Sequence, residues 1–183
     1  MPLPLLISAV AALSVAADTS RAVTTPMMPT VATTPVIGIR SKLVADSIVV
    51  EKSKHSLTLY QGGFAVRKYG VALGKQPQGD KIKRGDNRTP EGVFRIDFRN
   101  ADSKFHRALH ISYPDIEHIR RANAMGVTAG GDVMIHGLPK GYETVGAAHR
   151  DFDWTEGCVA VTNAEIEEIW AAIPDGTPIQ IKP

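Results

Sequence analysis

Three consecutive segments, DSIVVEKS (46–53), SLTLYQ (56–61) and FAVRKYGVAL (64–73), alternate or run apolar with many β-branched residues, and only Gly62-Gly63 separates the second from the third. A side-chain period of two places successive residues on opposite faces of a strand. Two glycines between two such runs mark a tight hairpin. The chain therefore starts its folded part as a strand meander, whose apolar face must be covered by further sheet or helix.

The same reading continues downstream. VFRIDF (93–98), ALHIS (108–112), DVMIHG (132–137) and TPIQIKP (177–183) are four more short strands, seven in all. PDIEHIRRANAMG (114–126) predicts a helix opened by Pro114 and stopped at Gly126. A second helix, capped by Asn163, carries Ile166, Ile169, Trp170 and Ile173 on one stripe, with Glu165, Glu167 and Glu168 in its first turns. The expected class is mainly β (α+β), sandwich-like, with two or three helices.

Residues 1–17 read as a signal peptide, with an apolar run from Leu3 to Ala17 and small residues at Val15-Ala16-Ala17 for cleavage. The run is too short and alanine-rich for a membrane span. Residues 18–40, rich in Thr, Pro and Ala, read as a linker that cannot bury enough apolar surface to fold. The folded domain is expected over 41–183, in an exported protein.

Net charge is only +2, but residues 65–107 carry 11 Lys/Arg against 5 Asp/Glu, and residues 108–183 carry 5 against 11. Two solvated faces would look like this. So would a basic loop that meets an anionic substrate, and KQPQGDKIKRGDNRTPEG (75–92) is a long polar loop of that kind. No recognition motif points to nucleic acid.

Cys158 is the only cysteine. Lone cysteines usually pack as small hydrophobes. A nucleophilic thiol needs a base, and an oriented one. Six histidines are available. His118 lies in the first helix, His55 and His106 lie on polar turns, and His110 sits on a strand facing either side. His136 ends a buried strand before Gly137, so rigid backbone holds its ring; taken alone it also fits a structural histidine. Gly157 frees the backbone beside the sulfur, and the N–H groups of Gly157 and Cys158 stand where an oxyanion would develop.

IHG (135–137), a spacer of 17 residues and TEGCVAVTN (155–163) resemble the L,D-transpeptidase catalytic domain family (YkuD type). SKHSLTLYQGGFAVRKYGVALG resembles that family's opening hairpins, GDKIKRGDNRTPEG the loop that follows, and TPEGVF its T-P-x-G-x-F/Y turn. HRDFDWTEGC is similar to a Gram-negative murein L,D-transpeptidase subgroup. The resemblance spans about residues 44–182. It implies a Cys158 nucleophile activated by His136, with a backbone carbonyl near Gly137 orienting the ring in place of a triad acid. Peptidoglycan stem peptides would be the substrate, and a thioester the intermediate. The acceptor would be a diaminopimelate amine, a lipoprotein lysine, or water in a carboxypeptidase or amidase of the same fold. A catalytically weak wall-binding module is the non-enzymatic alternative. No cofactor or metal is implied.

Two departures from the family pattern matter. Glu156 stands where many members have a histidine, and its charge would raise a nearby thiol pKa. Ala160 stands where many carry an arginine, so substrate carboxylate binding is expected from Arg150, or from Lys83, Arg84 and Arg88. His149 is either near the site or on the surface, and Trp154 is either packing or a substrate platform. GVALGK lacks phosphate-loop spacing, and His149, Asp151 and Asp153 lack metal-ligand spacing. Sortase-like and papain-like arrangements have a different His–Cys interval or order.

Overall fold

The computed structural model describes residues 43–183. The expected signal peptide and linker lie outside the described residues.

Eight strands form one curled sheet: β1 Ser47–Glu51, β2 Ser56–Gln61, β3 Phe64–Gly70, β4 Gly92–Ser103, β5 His106–Ile111, β6 Met134–His136, β7 Val159–Ala160 and β8 Pro178–Lys182. Two α-helices, α1 Ile116–Ala124 and α2 Asn163–Ala172, and two 3-10 segments, Lys52–Lys54 and Glu143–Asp151, complete it. The mainly β class is as expected. The strand missed from the sequence is β7, two residues long, which has no periodicity to read.

The strand order is β3-β2-β1-β8-β4-β5-β6-β7. Neighbours are antiparallel except β1–β8 and β6–β7, which are parallel. Gly62 and Gly63 both have positive φ, 58° and 82°, the geometry of a hairpin turn that matches strand twist. β4 is much longer than its apolar core suggests: Gly92–Arg95 pairs with β8, and the stretch from Ile96 onward pairs with β5 across two register shifts. Those bulges bend the sheet. The two edges then meet, because Ala72, just past β3, bridges to Ala160 of β7, with both N–H groups donating at 3.0 and 2.8 Å. This bridge puts the segment after β3 beside the cysteine turn.

The core is aliphatic, with Val50, Leu57, Leu59, Ile96, Leu109, Ile111, Ile135 and Val161 sealed from solvent. α2 covers it with Ile166 and Ile169, and with Ile173 at its C-cap, while Trp170 lies at the rim with the guanidinium groups of Arg99 and Arg107 over its ring. The helix is capped by Thr162, not by Asn163. Thr162 accepts from the Glu165 N–H and Glu165 reaches back to the Thr162 N–H, a reciprocal box that outcompetes a single asparagine cap. The Asn163 side chain instead accepts from the Leu138 N–H at 2.7 Å. α1 is capped by Asp115, whose side chain accepts from the His118 N–H; Pro114 precedes the cap after a cis peptide bond.

The basic loop is held down more firmly than a polar surface loop would be. Lys52 is buried, and its ammonium donates to the carbonyls of Gly79 and Thr89 and to Glu91 at 2.6, 3.0 and 2.8 Å. All three donors of the ammonium are spent, so the charge is compensated and the loop ends are tied to the sheet.

Candidate active site

Parallel pairing of β6 with β7 sets the site. His136 lies level with Ala160 and Ile135 with Val159, which places Cys158, one step before β7, beside Met134. Residues two apart on adjacent paired strands share a face. Both His136 and Cys158 line one cleft of about 850 Å³.

His136 ends a strand whose burial rises from Met134 to His136, and its ring is almost wholly enclosed. Its Nδ1 lies 2.7 Å from the Gly137 carbonyl. A carbonyl only accepts, so Nδ1 carries the proton and Nε2 keeps its lone pair. Phe105 stacks on the ring at 4.4 Å and Trp154 meets it edge-on at 5.7 Å. Gly137 has no room for a side chain: a Cβ there would stand 2.6 Å from Asn163 Oδ1 and 3.0 Å from the Phe105 carbonyl. The glycine after the histidine is thus demanded by the packing of α2 against the end of β6.

Cys158 sits on a turn organised by Thr155. The threonine hydroxyl accepts from the Gly157 N–H at 3.1 Å and donates to the Cys158 carbonyl at 2.8 Å. The backbone of Thr155 is in turn bonded to Leu73 and Lys75. Gly157 has φ 129°, and a Cβ there would stand 2.6 Å from the Arg88 carbonyl, so only glycine fits. The thiol is partly exposed to the cleft, with Sγ 3.6 Å from the Asp132 carbonyl. The Gly157 N–H, expected as an oxyanion donor, is occupied by Thr155. The Cys158 N–H makes no hydrogen bond among the described residues.

Burial governs both titrations. It lowers His136 to about 4, against the bond to the Gly137 carbonyl, which favours the charged ring, and with a small further push from His149. Burial raises the Cys158 thiol, against a hydrogen bond from the Met134 backbone and the charge of Lys81; Asp132 and Glu156 add to the rise. At rest the cleft therefore holds a neutral thiol and a neutral imidazole.

An unfolded histidine takes up its proton near pH 6.5, the buried one only near 4. Between those values the unfolded state binds more protons, so stability rises with pH. The His136 contribution is fully present above pH 6.5 and is lost as pH falls towards 4, by on the order of 3 kcal/mol. Urea midpoints at pH 4.5 and 7.5 should differ less in His136→Gln than in the wild type.

Of the residues singled out from the sequence, Cys158, His136, Gly157, Trp154, Glu156 and Arg84 line the cleft. Gly137 lies behind the histidine and supplies the orienting carbonyl. The other expected substrate contacts are placed elsewhere. Lys83 and Arg88 line a separate depression with Met125 and Val127, because Asp86 gathers the backbone of Ile82, Lys83 and Arg88 around itself and turns those side chains away. Arg150 is engaged by Glu165 and packs against Gly70. His149 is buried beside Trp154, whose indole N–H points at its Nδ1 over 3.4 Å. His55, His106, His110 and His118 each face a carboxylate, of Asp153, Glu167, Asp97 and Asp115. Sequence reasoning missed Lys81, Phe105 and the Asp132–Met134 backbone. Thr155 was legible only as a letter of the motif.

The family described as YkuD, L,D-transpeptidase catalytic domain, matches residues 45–181. No curated protein matches the chain. Among solved structures, the helical cell shape determining protein Pgp2 from Campylobacter jejuni superposes with a TM-score of 0.57 at 21% identity, over 78% of this chain and 51% of that one. Bd1075 of Bdellovibrio bacteriovorus gives 0.52 at 22% identity, over 76% and 51%. An L,D-transpeptidase from Mycobacterium smegmatis gives 0.50 at 14% identity, over 76% and 59%. The chain spans about half the length of the first two. These likenesses concern the fold, and the match over most of the chain concerns the family: the chain belongs to the YkuD family of L,D-transpeptidase catalytic domains.

Proposed function

We propose that this protein is an exported, cysteine-dependent L,D-transpeptidase that acts on peptidoglycan stem peptides through a thioester. The observation that carries the reading is one cleft lined by both the only thiol of the chain and an imidazole whose Nδ1 is held by the Gly137 carbonyl.

His136 Nε2 takes the proton of the Cys158 thiol as the sulfur attacks the carbonyl of an L,D-peptide bond. The oxyanion forms beside the free Cys158 N–H. Collapse breaks the C–N bond; the imidazolium returns its proton to the departing amine of the D-residue and the acyl group stays on sulfur. An acceptor amine or water, losing its proton to the same nitrogen, then attacks the thioester and releases the thiol. The acceptor is a diaminopimelate amine, a lipoprotein lysine or water. Residues 1–17 would direct export, and residues 18–40 would form a linker ahead of the catalytic domain. No helix among the described residues is long and apolar enough to cross a membrane. Lys75, Lys81, Arg84 and Lys104 around the cleft suit a substrate with several carboxylates.

The test is mass spectrometry of the intact protein and of the products after incubation with tetrapeptide muropeptides. A covalent adduct on Cys158 with dimeric products indicates transfer, and one with tripeptides alone indicates hydrolysis. Absence of both the adduct and the products would overturn the reading.

A further inference from the structure

Lys81 stands out among the cations of the basic loop. It is only 3% exposed, although the loop around it is polar. Its ammonium donates to Asp86 at 2.7 Å, one bond where three donors are available. Asp86 does not depend on that bond, since its carboxylate also accepts from the N–H groups of Ile82, Lys83 and Arg88 at 2.7, 2.9 and 3.1 Å. The ammonium faces the cysteine turn: Nζ stands 3.6 Å from where a side chain on Gly157 would begin. Lys81 lines the same cleft as Cys158.

The surroundings of the thiol explain why a cation is needed there. Cys158 shares the cleft with His136 at the end of β6, and its thiol meets the Asp132 carbonyl ahead of β6 and the Met134 N–H at the start of β6, with Glu156 from its own turn and Lys81 from the basic loop nearby. When the proton passes from Sγ to His136 Nε2, a thiolate appears in a sheltered site with Asp132 and Glu156 nearby. A sheltered anion flanked by carboxylates is costly unless a fixed positive charge faces it. The position before Gly157 holds Glu156 and cannot supply that charge.

We propose that Lys81, held by Asp86, is the fixed positive charge that stabilises the Cys158 thiolate, acting as a positioning residue rather than as a proton donor. The role deepens the thioester reading and rests on it. No co-reactant is involved, since the only bond change is the S–H to N–H proton transfer already described. The glycine at 157 is part of the device, because its bare backbone lets the basic loop approach the turn.

The chain has one cysteine, so alkylation by iodoacetamide reads Cys158 alone. The rate is measured by intact mass from pH 5.5 to 9.5 in the wild type, Lys81→Gln, Lys81→Arg and Asp86→Asn. Lys81→Gln should slow alkylation at pH 7 by about three- to tenfold and move its inflection to higher pH. Lys81→Arg should stay near the wild type. Asp86→Asn, which strips the lysine of its counter-charge, should accelerate the reaction. Opposite signs for Lys81→Gln and Asp86→Asn support the role, because general loosening of the loop would move both the same way. Superimposed profiles, or shifts in one direction for both, overturn it. Should Lys81→Gln fail to fold, Asp86→Asn decides alone: faster alkylation supports the role, and unchanged or slower alkylation overturns it. The readout needs no stem peptide, so inert muropeptides would sink the proposed function while leaving this result standing.

Discussion

Replacing Cys158 by alanine should eliminate the covalent adduct and lower turnover of tetrapeptide stems by about 10,000-fold or more, the usual consequence of removing a nucleophile. The fold should survive. The side chain is partly exposed to the cleft, and its polar partners are the Asp132 carbonyl and the Met134 backbone, on a chain segment that lines the cleft. A change in stability within about 1 kcal/mol is expected, in line with substitutions that open no sealed cavity. Denaturant midpoints and turnover should therefore separate cleanly: an unchanged midpoint with no activity. A folded Cys158→Ala that still cleaves or joins stems would exclude the thioester route.

The second large effect concerns the base. His136→Gln should lower kcat/KM by about 100- to 10,000-fold, the range for loss of general acid–base catalysis. Glutamine approximates the buried volume between Phe105 and Trp154 better than alanine, which would leave a cavity beside the stacked rings. The pH profile adds a sign. Because burial lowers His136 to about 4, the wild type should keep its base unprotonated through neutral pH and lose activity only as pH approaches that value from above. In His136→Gln the acid limb should vanish, and the residual rate should climb with pH as free thiolate forms on a thiol that burial holds above its ordinary value. A variant within tenfold of the wild type across the range would show that the histidine is structural.

The elements that repeat locally were the ones readable beforehand. The β2–β3 hairpin follows from alternation around two glycines, and the apolar stripe of α2 from i, i+3, i+4 spacing that the buried Ile166, Ile169 and Ile173 obey. β7 escaped because two residues carry no period. Asn163 was misread as a cap because its neighbour Thr162, paired with Glu165, satisfies two donors at once. Among the charged residues, type alone did not indicate direction. Lys83, Arg84 and Arg88 look equivalent in sequence, yet the ring of backbone donors around Asp86 leaves only Arg84 at the cleft, together with Lys81. Arg150 had no visible reason to be engaged until α2 placed Glu165 against it.

The strand-rich class, the amphipathic final helix and the order of the histidine–glycine and threonine–glutamate–glycine–cysteine motifs are legible along the chain, because those rest on local periodicity and local steric demands. Long-range packing settles which loop cations line the cleft, which N–H stays free beside the thiol and how the curled sheet closes through Ala72 and Ala160. Such contacts join residues tens of positions apart, and their side-chain directions come from strand register and from competition for hydrogen bonds, neither of which leaves a repeating trace in the chain.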